Sequence, residues 1–197
     1  MIKMATTKTF DLVIVGVGGQ GAILASDIIG KAAVAEGLPV TASETHGMAQ
    51  RGGAVENHVR IGCKYGSLIP AGGADCLMSM EPLEALRFAR YLKKDSVAVI
   101  NTQQIVPVTV YSQKIPYPEL DQIIEIMENV TPNVKAANFT ELAKKAGAAQ
   151  ALNVAMIGAV SKYMPLNPDN LKEVIARSVP PKTVNVNLKA FDLGRDA

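Results

Sequence analysis

Hydrophobic positions along this chain change period several times, and each change marks an element. Residues 10–15 are a short apolar run with Val13-Ile14-Val15 at its centre, which predicts a buried strand. A glycine turn follows, and Ala22, Ile23, Ala25, Ile28, Ile29, Ala32 and Ala33 then recur at helical spacing, with Gly37 as the stop. Residues 38–42 predict a second strand and residues 54–61 a third with one wet face. A turn at 63–66 leads into 67–70, so 54–69 reads as a hairpin. Strands are expected at 76–80 and 96–100, with a helix between them opened by Glu81-Pro82 that turns Leu83, Leu86, Phe88, Ala89 and Leu92 inward. Residues 106–118 hold three prolines and predict an extended excursion, with a possible strand at 109–111. Beyond it the pattern gives a helix at 119–129, a strand at 134–138 and a short helix capped by Thr140 that ends at Gly147. A long apolar helix over 148–164 and two more at 167–178 and 181–193 complete the chain.

Strand and helix alternate through the first two thirds, which predicts an α/β protein: a three-layer α/β/α sandwich with a mixed, mainly parallel, Rossmann-like sheet. The hairpin supplies the antiparallel component. No linker or repeat divides the chain, so residues 1–197 read as a single domain.

Two segments carry candidate chemistry. Gly16-Val17-Gly18-Gly19-Gln20-Gly21 sits between a strand and a helix and matches the dinucleotide fingerprint, with Glu44 following at about the 20 residues that fingerprint requires. Its glycines allow a tight turn, and helix N-terminal N–H groups can receive an anion. Gln20 and the doubled Gly18-Gly19 point instead to another ligand or a partner contact, and a tight turn alone is the plain alternative. The second segment, residues 43–53, is polar and glycine-rich and reads as a working loop leaving the carboxyl end of the second strand, where parallel α/β sheets meet ligands. Within it Glu44 and His46 have the spacing of an oriented acid–base histidine, against the alternative of a histidine bonded to its own loop. Arg51, before Gly52-Gly53, suits a carboxylate or phosphate, or equally an ion pair between subunits.

Composition narrows the choices. At 197 residues with 48% hydrophobic content the chain can bury a sizeable aliphatic core, with surplus compatible with a homodimer of the isolated chain. A net charge of +2 without a basic stripe excludes a nucleic-acid protein. The longest apolar stretch is too short for a bilayer and the N-terminus lacks a signal-peptide core, so a cytoplasmic location and no membrane are expected. Cys63 and Cys76 could bridge but read better as two buried thiols in a reducing compartment. With only those cysteines, His46 and His58 as soft ligands, no cluster or structural zinc can be assembled from this chain alone, so no metal site is assigned. His58 reads as structural, and Met78 and Met80 as core filler.

Together the glycine turn, Glu44-Thr45-His46-Gly47-Met48-Ala49-Gln50-Arg51-Gly52-Gly53, Ala74-Asp75, Glu81-Pro82-Leu83-Glu84-Ala85, Asn101-Thr102, Asn153, Gly158, Asn187 and Ala190-Phe191 resemble the gamma-type domain of 2-oxoacid:ferredoxin oxidoreductases over nearly the whole chain. Residues 45–50 resemble the indolepyruvate branch; pyruvate, 2-oxoglutarate and ketoisovalerate relatives are the alternatives within the family. The resemblance implies a subunit that supports coenzyme A-dependent oxidative decarboxylation of an arylpyruvate. A large alpha subunit would hold thiamine diphosphate, Mg and iron-sulfur clusters, and ferredoxin would take the electrons. This chain then binds no cofactor alone, and Gly16, Gly18, Gly19, Gln20, Gly21 and Gln50 would contact the partner's active site or coenzyme A. Outside the family, the rival is a free-standing oxidoreductase holding NAD on Gly16, Gly18, Gly21 and Glu44.

Overall fold

The structure is a computed structural model and describes residues 9–46, 53–63, 66–105 and 116–197. The possible strand at 109–111 lies outside these residues. The strands are β1 (Phe10–Val17), β2 (Val40–His46), β3 (Ala54–Ile61), β4 (Ala74–Ser79), β5 (Leu92–Asn101) and β6 (Asn133–Ala137). The helices are α1 (Ala22–Ala35), α2 (Pro82–Phe88), α3 (Leu120–Val130), α4 (Phe139–Ala146), α5 (Leu152–Val160), α6 (Pro168–Ser178) and α7 (Val184–Asp196).

One six-stranded sheet runs in the order β2-β3-β1-β4-β5-β6. β1, β4, β5 and β6 are parallel neighbours, while β3 lies antiparallel between β1 and β2. Alternation along β1 sends Leu12 and Ile14 to one face and Val13 and Val15 to the other, all four fully buried, as a central strand covered on both sides requires. The first face carries α1 and α4–α7; the second carries α2 and α3, with Ile123 and Met127 against Leu77 and Ile100. The three-layer mixed class is therefore the observed one.

The hairpin differs from expectation. β3 finds its antiparallel partners in β1 and β2, and residues 67–70 form no strand. That segment is instead tied over the sheet by side chains: Arg60 donates from Nη1 to the Gly66 and Leu68 carbonyls, and Ser43 Oγ donates to the Ser67 carbonyl at 3.2 Å. The Ile69 N–H donates to His58 Nδ1 at 3.0 Å, which leaves Nε2 to donate to Glu56 Oε1 at 2.9 Å. Both ring nitrogens are used, so His58 is structural, on a face that was expected to be wet but is covered.

Local boundaries shift for identifiable reasons. α2 buries Pro82, Glu84, Ala85 and Phe88, while Leu83 and Leu86 stay half-exposed, and Leu92 begins β5. α4 is capped by Asn138, whose Oδ1 accepts the Glu141 N–H at 3.0 Å; Thr140 lies inside the helix. The long apolar segment divides into a 3₁₀ turn at Ala149–Ala151 and α5, and Pro165 disfavours helix in the residue before it. All nine residues of α5 are buried, with α7 laid directly across them. A Cβ built on Gly158 would lie 2.0 Å from the Phe191 carbonyl oxygen, and one on Gly194 would lie 1.8 Å from that of Ala155. Cys76 is fully buried but Cys63 only half-buried, which corrects the expectation of two buried thiols.

Candidate functional site

β1 ends at Val17 on the carboxyl edge of the sheet, where the chain must reverse into α1 without a side-chain cap. The turn is built from inside by Gln20. Its Oε1 accepts the Val17 N–H at 2.7 Å and its Nε2 donates to the Met80 carbonyl at 2.8 Å, so the amide spans the ends of β1 and β4. Gly16 makes room for it: a Cβ there would lie 2.7 Å from Gln20 Oε1. Gly21 is the helix cap in the left-handed region, at φ 84°, and its carbonyl accepts from Asn153 Nδ2 at 3.3 Å. Gly19 is also left-handed, and the Gly18 N–H donates to the Gly53 carbonyl at 2.9 Å.

The same carbonyl of Met80 accepts from Asn101 Nδ2 at 3.0 Å, and Asn101 exchanges hydrogen bonds with Thr140 at the start of α4. Thus a polar brace joins the carboxyl ends of β1, β4 and β5. Residue by residue reading of the chain missed this brace, although an asparagine ending an apolar strand (Asn101) and one inside an apolar helix (Asn153) were the available signals. Buried amides must find partners: Asn101 finds Met80 and Thr140, and Asn153 finds the Gly21 carbonyl.

Two cavities flank the turn. One of about 380 Å³ is lined by Gly19, Gln20, Gly21, Gln103, Thr140, Gln150 and Asn153 among others. The second, about 260 Å³, lies between the turn, Ile23 and Val55. Ile23 is 47% exposed and Ile105, on the first cavity, 38%. The first-turn N–H groups of α1 lack a side-chain cap or an acidic residue, so a positive helix end faces this edge. Nearby, Glu81 is 1% exposed. Its carboxylate accepts from the Glu84 N–H, the Ile105 N–H and the Tyr117 hydroxyl, and burial together with this carboxylate pushes the Tyr117 phenol well above its ordinary pKa. Glu84 is buried too, with Oε2 lacking a partner among the described residues; burial holds its carboxyl above the usual range, opposed by Arg87.

The second sequence segment lies on the same edge, but its first part is strand. β2 continues to His46, so residues 43–46 pair with β3 and are not loop. An edge strand with one neighbour tolerates polar residues, which is why the apolar run alone marked its end too early. β3 separates β2 from β1, and at about 4.8 Å per strand this sets Glu44 roughly 10 Å from the strand that carries the glycine turn. Glu44 Oε1 lies 3.4 Å from Ser26 Oγ, whose proton is better used on the Ile23 carbonyl at 2.9 Å. Gln50 and Arg51 lie outside the described residues. The return of the chain at Gly53 onto Gly18 brings both segments to one edge of the sheet.

A family model described as pyruvate ferredoxin/flavodoxin oxidoreductase matches residues 11–197. The chain belongs to the pyruvate ferredoxin/flavodoxin oxidoreductase family. Within the family it is 47% identical over 186 residues to the indolepyruvate oxidoreductase subunit IorB of Archaeoglobus fulgidus, covering 93% of this chain and 92% of that one. The IorB of Thermococcus kodakarensis is 44% identical over 191 residues, 95% of both chains. The 2-oxoglutarate synthase subunit KorC of Methanothermobacter thermautotrophicus stands further off, at 29% over 93% of this chain and 92% of its own. A solved 2-oxoglutarate:ferredoxin oxidoreductase from Magnetococcus marinus, with 2-oxoglutarate, coenzyme A and succinyl-CoA bound, shares the fold at a TM-score of 0.73 and 21% identity. The match takes in 96% of this chain but only 31% of that longer one. This member of the family is thus a small subunit of a 2-oxoacid:ferredoxin oxidoreductase, an enzyme of more than one subunit. Among the described residues no helix is long and apolar enough to cross a membrane.

Proposed function

We propose that this chain is the small subunit of a cytoplasmic indolepyruvate (arylpyruvate):ferredoxin oxidoreductase. The complex would convert a 2-oxoacid, coenzyme A and two oxidised ferredoxins into the acyl-CoA, carbon dioxide, a proton and two reduced ferredoxins. The identity to two IorB subunits, 47% and 44% over almost their whole length, is the observation that carries the reading, since the KorC relative falls to 29%. A larger subunit supplies thiamine diphosphate, Mg and the iron-sulfur clusters, because two cysteines here cannot ligate a cluster. Thiamine diphosphate supplies the electron sink for decarboxylation when bound.

The role of this chain is to bind and orient. Gly19, Gly21, Gln150 and the uncapped first turn of α1 offer N–H and amide donors beside the cavity of about 380 Å³, which suits the phosphates or amides of coenzyme A. By sequence, His46, Gln50 and Arg51 are the residues we assign toward the partner, with Arg51, before Gly52-Gly53, suited to grip a carboxylate or phosphate. A nicotinamide dinucleotide is disfavoured on the same geometry. Gln20 occupies the crevice between β1 and β4 where a pyrophosphate would seat, and Glu44 lies one strand too far away for the ribose.

Co-expression with the large subunit tests this. The expected product is a brown complex that reduces ferredoxin with indolepyruvate and coenzyme A, while the isolated chain is colourless and inactive. Substituting Arg51 or His46 lowers turnover of the intact complex; unchanged turnover would remove both from the chemistry. Micromolar NAD binding by the isolated chain would overturn the reading.

A further inference from the structure

Asn101 decides where the proton of a neighbouring hydroxyl can go. The Met80 carbonyl can only accept, so the Asn101 atom bonded to it at 3.0 Å is Nδ2, and Oδ1 is then the atom that accepts the Thr140 N–H at 3.3 Å. The second hydrogen of Nδ2 goes to Thr140 Oγ1 at 3.1 Å. Thr140 thus receives a bond at its oxygen, and its own hydrogen has to be spent elsewhere.

The local backbone does not take it. A threonine inside a helix usually returns its proton to the carbonyl three or four residues back. Thr140 is the second residue of α4, so those carbonyls belong to Ala136 and Ala137 of β6, and the Ala137 carbonyl accepts the Thr102 N–H at 3.0 Å. Among the described residues the Thr140 hydroxyl donates to nothing. Capping the helix is not its task either, since Asn138 holds that position. Thr140 is half-buried and lines the cavity of about 380 Å³ with Gly19, Gly21 and Gln150. No acidic or basic side chain is among the described residues that line it. α1 and α5 both begin there, and neither carries an acidic residue in its first turn. Two positive helix ends beside a hydroxyl with a hydrogen to give are a setting for an anionic oxygen.

We propose that Thr140 is a binding residue for coenzyme A, its hydroxyl donating to a diphosphate oxygen while Asn101 holds the hydroxyl in place. This assignment rests on the reading of the cavity as the place of coenzyme A. The Gln20 amide is spent on Val17 and Met80, so it has nothing left for a ligand there. Thr140 is held by Asn101 before any ligand arrives, and little side-chain freedom is lost when it donates.

Steady-state kinetics of the reconstituted complex with Thr140→Val and Thr140→Ser test this. Valine keeps the shape and loses the hydroxyl, whereas serine keeps the hydroxyl. Thr140→Val is expected to raise KM for coenzyme A roughly tenfold, with kcat and KM for indolepyruvate unchanged. It should weaken competitive inhibition by ADP, which has the diphosphate without the pantetheine arm, by the same factor. Thr140→Ser restores both, and Thr140→Ala, which also lacks the hydroxyl, repeats the valine result. Co-purification with the large subunit and thermal melts check that assembly and fold persist. An unchanged KM for coenzyme A, an equal rise in both KM values, inhibition by ADP untouched by the valine, or a serine variant as weak as the valine one would each overturn the assignment and leave the coenzyme A reading intact. An unsubstituted complex that oxidises indolepyruvate at full rate without coenzyme A would overturn both.

Discussion

The β1–α1 turn and the α5–α7 crossing both depend on glycine, yet for different reasons, and the difference separates function from architecture in this molecule. At the turn, glycine makes room for polar groups: Gly21 adopts a left-handed conformation and presents its carbonyl to Asn153, and Gly16 leaves space for the Gln20 amide. The outcome is a braced but open edge flanked by cavities and exposed Ile23 and Ile105. At the crossing, Gly158 and Gly194 let two helix backbones touch, because each lacks the Cβ that would meet a facing carbonyl. Adding a methyl group in either region should therefore break different things.

Gly158→Ala is expected to have the largest effect. Its Cβ would collide with a backbone carbonyl that cannot swing aside, so destabilisation of about 3 kcal/mol or more is expected in urea unfolding. A loss below about 1 kcal/mol would mean that α7 slides to admit the methyl group. Gly21→Ala comes next. Left-handed strain of about 1–2 kcal/mol adds to a contact 2.8 Å from Asn153 Nδ2, which is a side chain and can yield. This variant should lose activity in the reconstituted complex out of proportion to its stability, whereas Gly158→Ala should lose both together. Gln20→Ala leaves the Val17 N–H and one bond of the Met80 carbonyl unmade, at about 1–3 kcal/mol. It also empties the crevice; if NAD then binds tightly, the plug was what excluded it.

The smallest effect concerns Glu84, near the braced edge. Its folded-state pKa is raised, chiefly by burial and with Glu81 adding to it, so the neutral form is the one the fold favours. No penalty exists below the ordinary carboxyl value; it grows as pH rises through the folded-state value and is full beyond it. Glu84→Gln should thus stabilise the chain slightly at pH 7 and not at pH 4, measured by paired thermal melts. A loss at pH 7 would show that the Arg87 pair at 3.0 Å outweighs the burial.

Much of this was legible in the order of residues. The strand, glycine turn and helix of β1–α1 follow from a change of period, and Gln20 stood out as a residue able to reach a polar partner. β2 was read four residues short because Ser43, Glu44, Thr45 and His46 are polar, and an edge strand needs only one neighbour. In α2 the counted leucines are half-exposed and Glu84 is buried, because helical phase is set there by Pro82 and Phe88 seating on the sheet. The cap of α4 was misplaced by two residues, since Asn138 and Thr140 are both good caps and only backbone geometry chooses.

Local periodicity by itself determined the class of fold, the central buried strands and the glycine turn, because these depend on spacing along the chain, while the resemblance to the family rested on the residues of particular motifs. The insertion of β3 between β1 and β2, the brace from Gln20 through Met80 to Asn101, and the hold of Asn153 on the Gly21 carbonyl were decided only in three dimensions. Each joins groups far apart in sequence, and hydrogen-bond partners and strand neighbours are chosen by packing, for which a one-dimensional pattern carries no term.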